Sequence, residues 1–400
     1  MSALFGTYNR SIAFTRGKGM RLFSSDNTSY LDFMSGVGVN SLGHCDEHLV
    51  AIMKDQAEKL WHVSNIFDIP EQEKLAQRLV DVSFADAVFF TNSGAEAVEC
   101  AIKTARRYYF DKDQHNRTDI IAFKGAFHGR TLGTIAAGGN PDYTKGFGEV
   151  LAGFKHVAPN DIKAVEALID ENTAAILIEP VQGEGGVNTI TNEFMRSLRK
   201  LCDKYDLLLI LDEVQCGCGR TGKLFAYEFS GIEPDIMALA KGIGGGFPLG
   251  ACLAKKEIAK AMIPGTHGST YGGNPMACAI GNGVLDRILQ PDFLPHVEKM
   301  SQKLNWHLHQ LQQRFPQYIT QVRGKGLMVG IKLTFPVAKF VTKLREHHLL
   351  AVASGDNVLR LLPPLIVDEV DITEAMNIIT TSFEELENKE LEKQKEEDNG

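Results

Sequence analysis

The sequence predicts an α/β fold: a mostly parallel sheet covered by helices, followed by a smaller α+β unit. Three observations carry this. Short, wholly apolar runs recur at 87–90, 120–123, 174–178, 207–211, 236–240 and 250–254, and strands without polar alternation are buried on both faces. Helical patterns separate these runs, which is the signature of parallel strands joined by crossover helices. The alternation stops near residue 280, where a different order of elements begins.

Taken in order, the elements justify themselves locally. Val98, Ala101, Ile102, Ala105 and Tyr109 repeat at helical spacing after the first run, and Phe194, Leu198, Leu201 and Tyr205 do so before the fourth. Beyond 280 the pattern predicts one long helix over about 282–314, then strands in "GLMVGIKL", "AVASG" and "NVLRLLPP", then a final helix. The stretch "ENKELEKQKEEDNG" is nearly all charged and polar; it either extends that helix or stays unstructured. The expected division is a segment 1–45 packing with the small unit, a large domain 46–280, and a small domain 281–400 that carries the charged tail.

Composition narrows the function. A chain of 400 residues with 44% hydrophobic and 23% charged residues suits a globular enzyme. A net charge of -8 argues against nucleic acid or an anionic membrane as partner. No apolar run approaches the ~20 residues that span a bilayer, and "MSALFGTYNR" lacks the apolar core of an export signal, so a cytoplasmic location is expected. The seven cysteines include one close pair, Cys216 and Cys218, without the second pair or histidines of a zinc site. They are expected to be plain thiols, and no metal is expected.

In a parallel sheet, ligands gather at the C-terminal strand ends, and five runs here end in unusual loops: "TNSGAEA", "KGAFHGRT", "EPVQGEGG", "DEVQCGCGRTG" and "KGIGGGFPLG". Ser93, Gly94 and Ala95 open a helix, where free N–H groups favour a phosphate. Ser93 with Glu96 also spells a capping box, and both readings can hold. Asp212 ends an aliphatic strand, where a carboxylate needs a partner; a protonated heteroaromatic nitrogen, a magnesium ion or a helix start would each serve. Phe127, next to His128, is either core packing or a face for a planar ligand, and Arg130 offers a fork for a carboxylate. Glu179 and Glu184 lie on a glycine bend. Lys241 sits among glycines; it is either a solvated strand-end lysine or an amine in a tight pocket, able to lose its proton and attack a carbonyl. Two nucleotide motifs compete. "GCGRTGKL" has phosphate-loop spacing but Leu224 where magnesium needs Ser or Thr, and "GIGGGFPLG" has Phe247 in place of the third glycine.

Together these pieces, with "LDFMSGVGVNSLGH" and "GSTYGGNPMACA", resemble the class III (ornithine-type) pyridoxal-phosphate aminotransferases over nearly the whole chain, most closely their acetylornithine branch. The resemblance implies fold-type I, with a seven-stranded large-domain sheet, and pyridoxal 5'-phosphate as cofactor. It implies that Lys241 bonds to the cofactor aldehyde and shuttles the proton, and that Asp212 keeps the ring nitrogen protonated. Phe127 and Val214 would sandwich the ring, and Gln215 would hold its phenolic oxygen. Gly94 and Ala95, with Ser93, would bind the phosphate, and His128 and Glu179 would complete the cofactor site. Thr270 would reach the phosphate of a second subunit, giving a homodimer with shared sites. Arg130 and Arg360 match two carboxylate-binding arginines, Glu184 the acid that pairs with Arg360, and Asn40 and Ser269 further substrate-binding positions. Gly36 stands where ornithine-specific members carry tyrosine. The implied reaction moves the terminal amino group of N-acetylornithine to 2-oxoglutarate, a step of arginine biosynthesis. Succinylornithine, succinyldiaminopimelate, ornithine and 4-aminobutyrate are the alternative donors, and a phosphate-loop nucleotide-binding protein is the alternative of another class.

Overall fold

The computed structural model describes residues 3–398 of the chain. Three antiparallel strands come first: β1 (Phe14–Lys18), β2 (Arg21–Ser24) and β3 (Ser29–Asp32). The central sheet begins with β4 (Ala87–Thr91), β5 (Asp119–Phe123), β6 (Phe154–Val157) and β7 (Thr173–Ile178). A two-stranded ribbon of β8 (Val181–Gln182) and β9 (Asn188–Thr189) follows. The sheet is completed by β10 (Leu208–Asp212), β11 (Ile236–Leu239) and β12 (Gly250–Ala254), in the order β4-β12-β11-β10-β7-β5-β6. Only β12 runs antiparallel to its neighbours. Its N-terminal end therefore lies with the C-terminal ends of the other six.

Six of the seven strands are the apolar runs of the sequence. The seventh, β6, reads "FKHV" and is half-buried over three of its four residues. It pairs with β5 alone, at the sheet edge; an edge strand has no second apolar face, so the run of hydrophobics that marks the others is missing. Along β10, Leu208 and Ile210 pack under the helix Gly94–Asp111, while Leu209 and Leu211 face the layer of the helix Asn192–Tyr205. Each such side chain contributes about 1.5–3 kcal/mol through burial. The ladder shifts by one residue from the expected run, so Asp212 is itself the last strand residue, paired in register with Ala238.

The expected helix over 282–314 is two helices, Pro275–Ile288 and Phe293–Arg314. Pro291 falls in the gap; it has no N–H to donate and disfavours helical geometry at the residue before it. The remaining strands are β13 (Ile319–Lys325), β14 (Met328–Leu333), β15 (Leu349–Leu350), β16 (Val352–Ser354) and β17 (Val358–Leu361). They form an antiparallel sheet β13-β14-β17-β16, while β15 pairs with β3 and ties the start of the chain to this region. The helix Glu369–Asp398 carries the charged stretch to residue 398; the last two residues lie outside the described range.

Candidate active site

The strand ends converge on a crevice of about 430 Å³, which draws on all five sequence-flagged loops. Because β12 enters the sheet from the same side, Gly246–Leu249 line it as well. These positions are the second half of the flagged "KGIGGGFPLG" loop, whereas Val39 and Ala240 line the crevice from outside all five loops.

At the sheet end of the crevice, Asp212 is 3% exposed. Its Oδ1 accepts from the Val214 N–H at 3.0 Å, and its Oδ2 meets His128 Nδ1 at 2.8 Å. Burial alone would lower the basicity of His128, but the hydrogen bond to Asp212 and its charge outweigh that and raise it. His128 Nε2 is buried with no partner among the described residues. Glu179 is also buried, and its carboxylate accepts from the N–H of Phe127 at 2.8 Å and of Gly183 at 3.3 Å, fastening two strand-end loops together. Burial, reinforced by nearby Asp212, pushes its pKa up to about 7, so the carboxyl is a weaker acid than usual.

Lys241 is held in the left-handed region at φ +50, a strain on the order of 1–3 kcal/mol for a residue with a side chain. Burial, then the charge of Arg360, brings its ammonium down to about 8. An amine so placed is partly unprotonated near neutrality and therefore nucleophilic.

Ser93 caps the helix Gly94–Asp111, its Oγ accepting from the Glu96 N–H at 3.2 Å. The Glu96 carboxylate reaches the Asn92 N–H at 2.8 Å, one residue before the cap itself. Gly94 and Ala95 occupy the first two helical positions, whose N–H groups have no acceptor within the helix. A Cβ on Gly94 would stand 2.7 Å from Val214 Cγ1, so glycine lets the Asp212–Gln215 turn close on the helix start. The cap and a free anion site coexist, as the sequence allows.

The C-terminal sheet braces the crevice from behind Glu184 and Gln215 without lining it. Arg360, on β17, is 1% exposed; its Nη2 donates to Glu184 Oε1 at 2.6 Å and its Nη1 to Gln215 Oε1 at 3.0 Å. Ser354 Oγ and the Gly355 N–H both donate to the Glu184 carbonyl, at 3.1 and 2.8 Å, fixing the bend from the same sheet. A Cβ on Gly183 would meet Gln215 Oε1 at 2.1 Å, so this bend also needs glycine. Arg130 faces the crevice with its guanidinium carbon 3.6 Å from the centroid of the Tyr143 ring and 5.6 Å from that of Phe127. Tyr143 sits on the short helix Pro141–Thr144, which no motif in the sequence marks.

Of the expected site residues, Asn40, Ser269, Thr270 and Arg360 do not line the crevice; Arg360 lies buried behind Glu184 and Gln215, which do. Ser269 touches its rim, accepting from Asn92 Nδ2 at 3.3 Å, and Thr270 is exposed. Asn40 and Gly36 face a second cavity, beside Asp32 and His44. Neither nucleotide motif folds as its rival reading requires. "GCGRTGKL" opens no α-helix but only the short 3₁₀ turn Ala226–Phe229, and Arg220 within it is buried, donating to the carbonyls of Leu327 and Pro363. "GIGGGFPLG" leads into β12.

The residues fit pyridoxal phosphate. Asp212 retains lone pairs toward the crevice, the buried His128 Nε2 awaits a partner, Lys241 supplies an amine, and the helix start supplies unpaired N–H groups. A mostly parallel sheet with this set at its strand ends defines an enzyme of amine–carbonyl chemistry. The comparisons narrow it. The family model for class-III aminotransferases matches residues 6–383. The chain is 56% identical to the acetylornithine aminotransferase of Mesorhizobium japonicum over 94% of this chain and 95% of that one. It is 55% identical to its counterpart in Agrobacterium fabrum over 93% and 94%. The structure resembles the ornithine aminotransferase of Toxoplasma gondii, with a TM-score of 0.93 at 30% identity over 97% and 94%. It also resembles the N-acetylornithine aminotransferase of Stenotrophomonas maltophilia, with a TM-score of 0.83 at 34% identity over 95% and 97%. The chain belongs to the class-III aminotransferases, which are pyridoxal-phosphate-dependent enzymes.

Proposed function

We propose that the chain transfers the terminal amino group of N-acetylornithine to 2-oxoglutarate, yielding N-acetylglutamate 5-semialdehyde and glutamate. The activity named for its relatives supports this, and the Arg360–Glu184 pair is the observation that carries it. N-acetylornithine brings its reacting amine with no carboxylate beside it, whereas glutamate brings one. A buried arginine without a partner is costly in the first case and needed in the second. Glu184 neutralises Arg360 for the first substrate; its side chain is 30% exposed and has room to leave for the second. Arg130 holds the distal carboxylate of either substrate.

When bound, pyridoxal phosphate supplies an aldehyde that exchanges for the substrate amine and a protonated ring that accepts electrons from the substrate carbon. Lys241 would hold that aldehyde and move the proton. Asp212, clamped by His128, would keep a proton on the ring nitrogen; Phe127 and Val214 would flank the ring, and Gln215, whose Oε1 is engaged by Arg360, would keep its N–H donors for the phenolic oxygen. Ser93, Gly94 and Ala95 receive the phosphate, and Glu179 fixes the loop that carries Phe127 and His128. Glu184→Ala is expected to slow the N-acetylornithine half-reaction about tenfold while leaving the glutamate half intact or faster. Single-turnover measurements of each half check this, and equal losses would sink the switch.

Thr270 and Ser269 lie beside an exposed apolar patch. Trp61, Ile66, Phe67 and Tyr271 are 60–81% exposed, and Asn65 Nδ2 ties their segment to the carbonyls of Ser269 and Gly272 at 3.0 and 2.9 Å. A patch of this kind marks an interface. A second copy of the chain covers it, bringing Thr270 to the partner's phosphate site in a cytoplasmic homodimer. Mixing inactive Lys241→Ala subunits with inactive Thr270→Ala subunits should restore activity; none would be restored if the sites are not shared. The proposed division is 1–45, 46–280 and 281–400; the β3–β15 pairing supports the first segment's packing with the small domain, whereas Val284, Leu285 and Ile288 of the helix Pro275–Ile288 pack in the large domain's apolar cluster, past the second boundary.

A further inference from the structure

We propose that Cys100 and Cys252 form a peroxide-reactive thiol pair, placed in a cavity apart from the crevice and served by His267. The two residues are 152 positions apart in sequence; the helix Gly94–Asp111 packs across β12 and brings them together. Both line a cavity of about 390 Å³ that shares no residue with the active-site crevice. A water occupies about 30 Å³ of liquid, so the cavity has room for a small hydroperoxide beside the sulfurs.

The polar groups around Cys100 are arranged to favour its thiolate. Thr104 Oγ1 lies 3.9 Å from its sulfur. Lys103 Nζ stands 2.8 Å from His267 Nδ1. An ammonium only donates, so Nδ1 is the acceptor, and the imidazole proton resides on Nε2, the nitrogen left to donate to Cys100. The Phe89 ring, with its centroid 4.8 Å from that of His267, packs against the imidazole. The hydrogen bond from Cys252, then that from His267, holds the Cys100 thiol below the ordinary range despite its burial. Cys252 is pushed the other way, first by that same hydrogen bond and then by burial. The other buried cysteines, Cys202, Cys216, Cys218 and Cys278, are all raised by burial and have no side-chain donor among the described residues. The close pair visible in sequence, Cys216 and Cys218, is thus the inert one.

The chemistry balances with hydrogen peroxide as oxidant. The Cys100 thiolate attacks one peroxide oxygen; an S–O bond forms, the O–O bond breaks, and the departing hydroxide takes the Nε2 proton of His267, which regains one from solvent, where the Cys100 thiol had released its own. Cys100 becomes a sulfenic acid and the peroxide becomes water. The Cys252 sulfur then attacks Cys100; an S–S bond forms, the S–O bond breaks, and a second water leaves with the Cys252 proton.

The test treats the holoenzyme with hydrogen peroxide and maps the cysteines by mass spectrometry under non-reducing conditions. The expected product is a peptide linking Cys100 to Cys252, lighter by two hydrogen atoms and restored by a thiol reductant, while exposed Cys45 is still a thiol at the same dose. Cys252→Ser should trap Cys100 as a sulfenic acid that dimedone labels. His267→Asn should slow the oxidation on the order of tenfold. The proposal is overturned if Cys45 is consumed while Cys100 and Cys252 remain thiols, if the linkage joins other cysteines, or if His267→Asn leaves the rate unchanged. Should Cys252→Ser fail to fold, the His267→Asn rate and the wild-type linkage decide the matter on their own.

Discussion

At the sheet end of the crevice, Asp212, His128, Glu179 and Lys241 are each enclosed, and the first three are held by main-chain groups or by one another. At the opposite end, Glu184 is 30% exposed, and Arg130 rests on an aromatic ring rather than on a carboxylate. The first arrangement suits groups whose protonation must be fixed before a substrate arrives. The second suits groups that must accept two substrates of different charge. Rigidity and adaptability are thus separated along one crevice, and they come from different layers. The rigid end hangs from the parallel sheet, whereas the adaptable end is braced by the C-terminal sheet through Arg360, Ser354 and Gly355.

The largest effect should come from disturbing the fixed charge. Asp212→Asn preserves shape but removes the negative charge that His128 and the ring nitrogen answer to. A loss of about 4 kcal/mol in the transition state, roughly a thousandfold in kcat, is expected in steady-state assays of the holoenzyme. Near-normal turnover would show that the rigid end does not depend on charge.

Next in size is a dependence of stability on pH. Lys241 titrates near 8 in the fold against an ordinary 10.5, so between those values the unfolded chain binds the extra proton. Stability should therefore rise with pH across that window, by about 3 kcal/mol in all. Below about 8 both states carry the proton and the contribution is flat. Denaturation of the cofactor-free protein, compared with Lys241→Met, isolates it; parallel curves for the two would mean that Lys241 is not held uncharged.

The smallest effect concerns the adaptable end. Tyr143→Ala removes the ring beneath Arg130 and should raise KM for both substrates about threefold to tenfold with little change in kcat, since a cation–π contact contributes about 0.5–2 kcal/mol. Tyr143→Phe should restore most of it. A kcat loss in place of a KM rise would move Tyr143 to the other side of the comparison.

The sequence by itself determined the scaffold and the chemistry of the strand ends. Runs such as "LLLIL" can be buried only in a two-faced sheet, and a carboxylate or a lysine at the end of such a run must meet a ligand or a partner. The same periodicity could not find β6, whose edge position asks for no apolar run, nor the break at Pro291, where one helical pattern continues into the next. Tertiary structure alone decided which distant groups meet. Arg360 reaches Glu184 across 176 positions, Cys100 lines one cavity with Cys252 across 152, and Tyr143 slides under Arg130. Local patterns record what a residue needs from its surroundings, such as burial, a cap or a left-handed turn. Which partner satisfies that need is set by how helices and sheets stack, and that depends on the whole chain at once.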